Sequence, residues 1–387
     1  MRLFVFVFLL LNSSYLAMAE NVKPPTLDQF LIDPFVGDVE LSPDGKHVAL
    51  VKQDMEQAAL LNIAISDDEN SEALTLKSQM NVGPVRINWV KWVSNKRLLV
   101  SSTNYVNKHG NPVALKYVKD PKWWARGVYA IPVTRLYFMD ADGSNLVKIF
   151  EKNWNMNRNF YGGGLASILY SDADHVMIYA RLKGDLDLFK INIHTAEYER
   201  VAIGASKTVG WYLDRSGAPA FRIDINWRRT HNVIMRRETS KSGNVKWKKF
   251  KTIKIDDKDS RAQRATEFKP LAPGPELTTF YVAARPEHEN TTSIYLYDFE
   301  KDEYIKKIKS HPTLDITGAV FSSENGELVA SYFYDNRLSV DFQDSVIQEH
   351  FNGLDAYFGN EANIWPIGSV ENNRVMLLRA SGPRDPG

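Results

Sequence analysis

Short apolar runs separated by short polar ones fill this chain, and seven times between Leu41 and Leu378 an apolar run, a polar turn rich in Asp, Asn, Gly or Pro, and a second apolar run follow one another. Each such phrase predicts two antiparallel strands joined by a tight turn. The clearest copy is Ser42-Pro43-Asp44-Gly45-Lys46 followed by His47-Val48-Ala49-Leu50-Val51, where Pro and Gly supply the backbone angles of a hairpin. The others turn at Trp92 to Arg97, Tyr170 to His175, Leu213 to Gly217, Ala272 to Glu276, Ser322 to Gly326 and Val370 to Arg374. Their spacing is about 45–60 residues, with one gap of nearly 80, and four short strands with their loops need about 40–50. Recurrence at that length predicts an all-β fold, a seven-bladed β-propeller.

Later strands of a blade are also legible. Leu186 to Ile193 and Tyr198 to Ile203 flank a turn at His194 to Glu197, and Ser293 to Phe299 and Tyr304 to Ile308 flank Glu300 to Glu303, so both read as outer hairpins. The last blade is expected to hold strands near Ile364 to Ser369 and Arg374 to Ala380 and to be incomplete, with no residues for an outer hairpin. Asp344 to Gly353 reads instead as a short helix standing in for an outer strand, with Asp344 as N-cap, Ile347 and Phe351 on one face and Gly353 at its end. A second short helix is expected near Thr26-Leu27-Asp28-Gln29, a capping-box sequence stopped by Pro34.

The first residues belong to a different class. Arg2, an apolar run from Leu3 to Leu11 and the small-x-small triplet Ala17-Met18-Ala19 form a secretory leader, cleaved near Ala19. The expected organisation is a signal peptide over 1–19, a segment with a short helix over 20–36, and the propeller over 37–387. The product would be periplasmic or secreted. No segment has the roughly 20 consecutive apolar residues of a membrane helix.

With no cysteine, the chain has no disulfide, thiol nucleophile or cysteine-held metal. Its 48 basic and 47 acidic residues leave a net charge of +1, so no global field attracts nucleic acid. One stretch, residues 222–254, concentrates eleven basic residues around Trp227 and Trp247; lysines along a sheet edge that discourage edge pairing explain it better than nucleic-acid binding.

Candidate chemistry is sparse. There is no Gly-x-Ser-x-Gly elbow, His-Glu-x-x-His pair, phosphate loop or dinucleotide fingerprint. Asp140 to Asn145 reads as a hairpin turn rather than a calcium loop, because Gly143 comes too early for one and Val147 to Phe150 continue as strand. Gly162-Gly163-Gly164 reads as a flexible entry to the third blade. No cofactor and no metal site is expected. The long gap between turns is filled by an insertion from Thr103 to Pro132, whose Trp123, Trp124 and Arg126 combine apolar area with a charge and are the candidate substrate or interface residues. The alternative for both tryptophans is burial against a neighbouring blade.

The order of leader, short helix, Leu41-Ser42-Pro43-Asp44-Gly45-Lys46, the Arg135-Leu136-Tyr137 strand running into Asp140-Ala141-Asp142-Gly143, and a last segment at Arg379-Ala380-Ser381-Gly382 resembles the N-terminal propeller of exported prolyl oligopeptidase family serine peptidases, of the acylaminoacyl and dipeptidyl peptidase kind. In that family an α/β-hydrolase domain carrying serine, aspartate and histidine follows the propeller, which restricts the peptides that reach them. The resemblance therefore implies a peptide substrate, a hydrolase domain in the same parent chain, and catalytic residues beyond Gly387. The competing expectation is a stand-alone propeller, as in Tol-like rings, that binds a protein or peptide without catalysis.

Overall fold

The computed structural model describes residues 36–53, 57–65, 74–83, 85–113, 130–157, 161–169, 171–239, 245–254, 268–322, 325–370 and 375–382. The expected leader, the helix expected near Thr26, and Trp123, Trp124 and Arg126 lie outside them.

Blade 1 comprises β1 (Val36–Leu41), β2 (His47–Gln53), β3 (Ala58–Ile65) and β4 (Leu74–Gly83). Blade 2 is β5 (Arg86–Trp92), β6 (Arg97–Val106), β7 (Ile131–Asp140) and β8 (Val147–Lys148), and a one-turn helix α1 (Trp154–Asn157) leads out of it. Blade 3 is β9 (Gly164–Ile168), β10 (His175–Leu182), β11 (Asp185–Asn192) and β12 (Tyr198–Ala202). Blade 4 is β13 (Thr208–Leu213), β14 (Pro219–Ile225), β15 (His231–Thr239) and β16 (Val245–Lys254). Blade 5 is β17 (Phe268–Pro273), β18 (Thr279–Ala284), β19 (Ser293–Asp298) and β20 (Glu303–Lys309). Blade 6 has three strands, β21 (Ile316–Phe321), β22 (Leu328–Tyr334) and β23 (Leu338–Phe342), followed by helix α2 (Ser345–Tyr357). The remaining sheet is a hairpin of β24 (Asn363–Val370) and β25 (Val375–Ser381).

Every sheet is an antiparallel meander of consecutive strands, and each of the seven turn phrases joins the first strand of a sheet to the second. The fold is thus an all-β propeller, but the count of seven blades is corrected to six. Six sheets have the three or four strands of a blade, whereas among the described residues β25 pairs only with β24. Periodicity in the turns registered this hairpin as a blade because a hairpin and the inner half of a blade share one sequence signature.

Residues 35–387 form one compact unit. Its cores are the layers between neighbouring sheets: Val51, Leu60, Val90 and Leu98 between blades 1 and 2, and Leu99, Phe138, Ile178 and Phe189 between blades 2 and 3. Between blades 4 and 5, Phe221, Phe280, Phe299, Phe268 and Tyr297 interlock edge to face with centroids 5.0–5.8 Å apart. That geometry suits the ring quadrupoles. The β24–β25 hairpin lies between blade 6 and blade 1, touching both β23 and β1. Among the described residues no sheet mixes strands from the two ends of the chain, and β1 meets the β24–β25 hairpin through side-chain packing. Gly45 is decisive there: its φ of +70° suits glycine, and a Cβ would stand 2.9 Å from Val370 Cγ2.

Helix α2 takes the place of an outer strand, as its pattern predicts. The Asp344 carboxylate accepts hydrogen bonds from the Val346 and Ile347 amides, and Ile347 and Phe351 pack on the blade 6 core. It runs past Gly353, however, to Tyr357, because the left-handed residue that ends it is Gly359 (φ +68°).

One surface pair gives the fold a pH dependence. Lys190 Nζ lies 2.6 Å and His175 Nδ1 2.9 Å from the Asp172 carboxylate, and together they hold its carboxyl down at about 2 against an ordinary 3.8. A folded value below the unfolded one stabilises the protein above that range, and the contribution is lost as pH falls from about 4 to 2. Asp172→Asn should remove about 1 kcal/mol or less, as expected near solvent, with the two proteins converging in acid. Denaturant titrations across that pH range measure the difference.

Candidate functional site

Inner strands of blades 1, 2 and 3 converge on a cavity of about 430 Å³ lined by Asp38, Trp89, Lys91, Tyr161, Gly164, Leu165 and Tyr179. Asp38 and Glu40 project to the same side of β1. The Asp38 carboxylate accepts the Val90 amide at 2.9 Å, and Trp92 Nε1 donates to the Glu40 carbonyl at 3.1 Å, so two hydrogen bonds set the angle between blades 1 and 2. Lys91 is ion-paired with Glu40. Burial pushes its ammonium below the usual lysine range, against an opposing pull from Asp38.

Across the cavity Tyr161 and Tyr179 are hydrogen-bonded phenols, and burial together with the neighbouring phenol pushes Tyr161 up to about 12. The Tyr161 hydroxyl therefore stays protonated at neutral pH and can donate as well as accept.

Tyr161 is positioned by the glycines after it, and here a sequence expectation is corrected. The Gly162-Gly163-Gly164 run is not a flexible entry but a packed passage between blades 2 and 3. A Cβ on Gly162 would lie 2.8 Å from the Thr134 carbonyl oxygen, one on Gly163 (φ +111°) 2.5 Å from the Tyr179 carbonyl oxygen, and one on Gly164 2.5 Å from the Tyr179 hydroxyl. Each glycine is needed because other backbone or the site's own phenol occupies the space a side chain would take.

Larger clefts of about 850 and 520 Å³ open between the turns of blades 2 and 3 and of blades 4 and 5. Arg97 is committed to Asp140 at 2.6 Å and to the Ile193 carbonyl at 2.9 Å, and Arg236 to the Phe299 carbonyl at 2.6 Å, whereas Arg237 beside it has a buried Nε with no hydrogen-bond partner among the described residues. Asp140 to Asn145 is a hairpin turn, with the Asp140 carboxylate taken by Arg97 and by Asn145 Nδ2 at 2.6 Å.

This cavity joins an indole, two phenols and an ammonium that is ion-paired with Glu40 and drawn to Asp38, one positive charge facing two carboxylates. Such a lining offers stacking and neutral hydrogen bonding. Among the described residues no group of three or more metal-ligating side chains is clustered. The candidates Trp123, Trp124 and Arg126 fall outside the described residues, and of the cavity's lining only Gly164 belongs to a run that the sequence singles out.

No protein-family model and no curated protein matches the chain. In shape it is similar to the β-propeller domain of the trilobed protease from Pyrococcus furiosus (12% identity, TM-score 0.39, covering 80% of this chain and 82% of that one). It is also similar to acylaminoacyl peptidase from Pyrococcus horikoshii (13% identity, TM-score 0.39, 89% of this chain and 50% of that one) and to TolB from Acinetobacter baumannii (12% identity, TM-score 0.34, 76% and 65%). The chain thus spans about half the length of the acylaminoacyl peptidase. Likenesses this distant add nothing to what the sheet topology establishes.

Proposed function

We propose that this chain is the docking and gating propeller of a serine peptidase that cleaves short peptides, with hydrolysis residing in an α/β-hydrolase domain of the parent protein. The carrying observation is this cavity between blades 1, 2 and 3, whose indole, phenols and Lys91–Glu40 ion pair suit the stacked side chains and amides of a peptide. The order of sequence elements that resembles the prolyl oligopeptidase family supports the peptidase part. In this reading the leader over 1–19 directs the protein to the periplasm or outside the cell, residues 20–36 form a separate entry segment, and the insertion carrying Trp123, Trp124 and Arg126 contributes to the substrate side or the domain interface.

Calorimetry with a panel of short peptides tests the docking part. Tyr161→Ala, a half-exposed position whose loss leaves the blade cores intact, should weaken binding about tenfold. Equal binding by the variant, or no peptide binding by the parent, overturns it. The coding sequence after the Gly387 codon tests the peptidase part separately: a downstream Gly-x-Ser-x-Gly elbow supports it, and an immediate stop codon overturns it in favour of a stand-alone peptide-binding ring.

A further inference from the structure

Charge is unevenly divided along this chain. Residues 222–254 hold eleven of the 48 basic residues and two of the 47 acidic ones, a formal +9, so the rest of the chain carries −8. Those residues span most of blade 4, which makes that blade the positive pole of the molecule.

At one end of the blade the charge gathers around an indole. The meander brings three places together: Lys207 before β13, the β14–β15 turn holding Trp227, Arg228 and Arg229, and the end of β16. Ile225 N–H donates to the Lys207 carbonyl at 2.8 Å, and His231 is the register partner of Lys254. Trp227 is 86% exposed, more than any other large apolar side chain among the described residues, and Lys207 Nζ stands 5.8 Å from its ring centroid. Lys207, Arg228, Arg229 and Lys254 are exposed and form no ion pair among the described residues, unlike Arg222 and Lys251 on the same blade, which pair with Asp224 and Asp302.

The tip is rigid. Asn226 Oδ1 accepts the amides of Thr230 at 2.7 Å and His231 at 3.0 Å, its Nδ2 donates to Thr230 Oγ1 at 2.9 Å, and the Arg229 amide closes on the Asn226 carbonyl at 2.9 Å. Arg229 sits at φ +55°, where glycine or asparagine is the low-energy choice. The turn presents the Arg229 side chain to solvent.

We propose that this tip of blade 4 docks on an anionic lipid surface, with Trp227 at headgroup level and Lys207, Arg228, Arg229 and Lys254 on the phosphates. Indoles favour the membrane interface, and basic residues near an anionic leaflet each add favourable energy. A narrow hairpin tip with one aromatic lacks the row of stacking rings that single-stranded nucleic acid uses, and the apolar core that a protein partner needs. A plane of headgroups requires neither. The negative charge elsewhere orients the molecule with blade 4 toward such a plane.

Co-sedimentation of the full chain with vesicles tests this, using phosphatidylglycerol and phosphatidylcholine mixed at roughly one to three, against pure phosphatidylcholine. The neutral vesicles report whatever the apolar N-terminal stretch contributes by itself. Binding should favour the anionic vesicles and weaken with salt. Removal of Arg228 and Arg229 together, as Arg228→Gln with Arg229→Asn, should weaken it about 25-fold, at about fivefold per cation. Asparagine keeps the turn, and an unchanged melting temperature confirms it. Removing two exposed lysines elsewhere, Lys77→Gln with Lys306→Gln, should leave binding unchanged. Equal affinity for both vesicle types, equal loss in the two double variants, or tighter binding of polyglutamate or an oligonucleotide than of anionic vesicles at the same salt would each overturn the proposal.

Discussion

Phe221→Ala is expected to cost about 3–5 kcal/mol, the range for removing a buried aromatic ring from a close-packed core. Phe221 is fully buried on β14, where its ring meets Phe280 at 5.2 Å, Phe299 at 5.3 Å and Phe250 at 5.8 Å. Those neighbours come from β18, the end of β19 and β16. The cavity therefore opens in the joint between two blades and not inside one sheet. Rigid ladders on both sides prevent collapse around it, which places the cost toward the upper part of the range. A fall in melting temperature of about 10 °C, with the far-ultraviolet spectrum unchanged below the transition, is the expected result. A fall of only a degree or two would mean that blades 4 and 5 are held mainly by something other than this aromatic cluster.

Gly163→Ala should be nearly as damaging, by about 3 kcal/mol, and it should reach the candidate site as well. Two penalties combine. A φ of +111° strains any residue with a Cβ, and that Cβ would press on the Tyr179 carbonyl oxygen at 2.5 Å, which belongs to a strand already locked between β9 and β11. Relief requires moving the 161–164 segment, and with it Tyr161. Loss of peptide affinity in molecules that remain folded, measured beside the melting curve, separates the two effects. Gly110→Ala is the matched control: it also has positive φ (+82°), but no atom lies within 4 Å of the added Cβ, so it should show the backbone cost alone.

These two positions mark the difference between what was legible in the sequence and what was not. Phe221 sits in an alternating run after a clear turn phrase, so its strand could be read, yet nothing local indicates that its ring would meet Phe280 and Phe299. The glycine run was visible and misread. Three glycines in a row look like freedom when the chain is considered alone, and become necessity only once β7 and β10 pass on either side. Helix α2 was read correctly from its Asp344 cap and its Ile347 and Phe351 face, but was ended too early at Gly353, because a glycine within a helix and one that terminates it differ only in φ.

By itself the sequence determined the strands, the inner hairpin turns and hence the propeller class, because alternation and turn chemistry act over a few residues and need no distant partner. Only the tertiary structure decided that six blades and one hairpin make up the described ring, that Gly45 packs against Val370, and that Asp38, Trp89, Lys91, Tyr161 and Tyr179 share one cavity. Those residues lie on three blades, and a ring brings together inner positions separated by more than a hundred residues whatever their local patterns. Strand pairing within a blade is a short-range property written in periodicity; packing between blades depends on which surfaces meet, and no local pattern carries that.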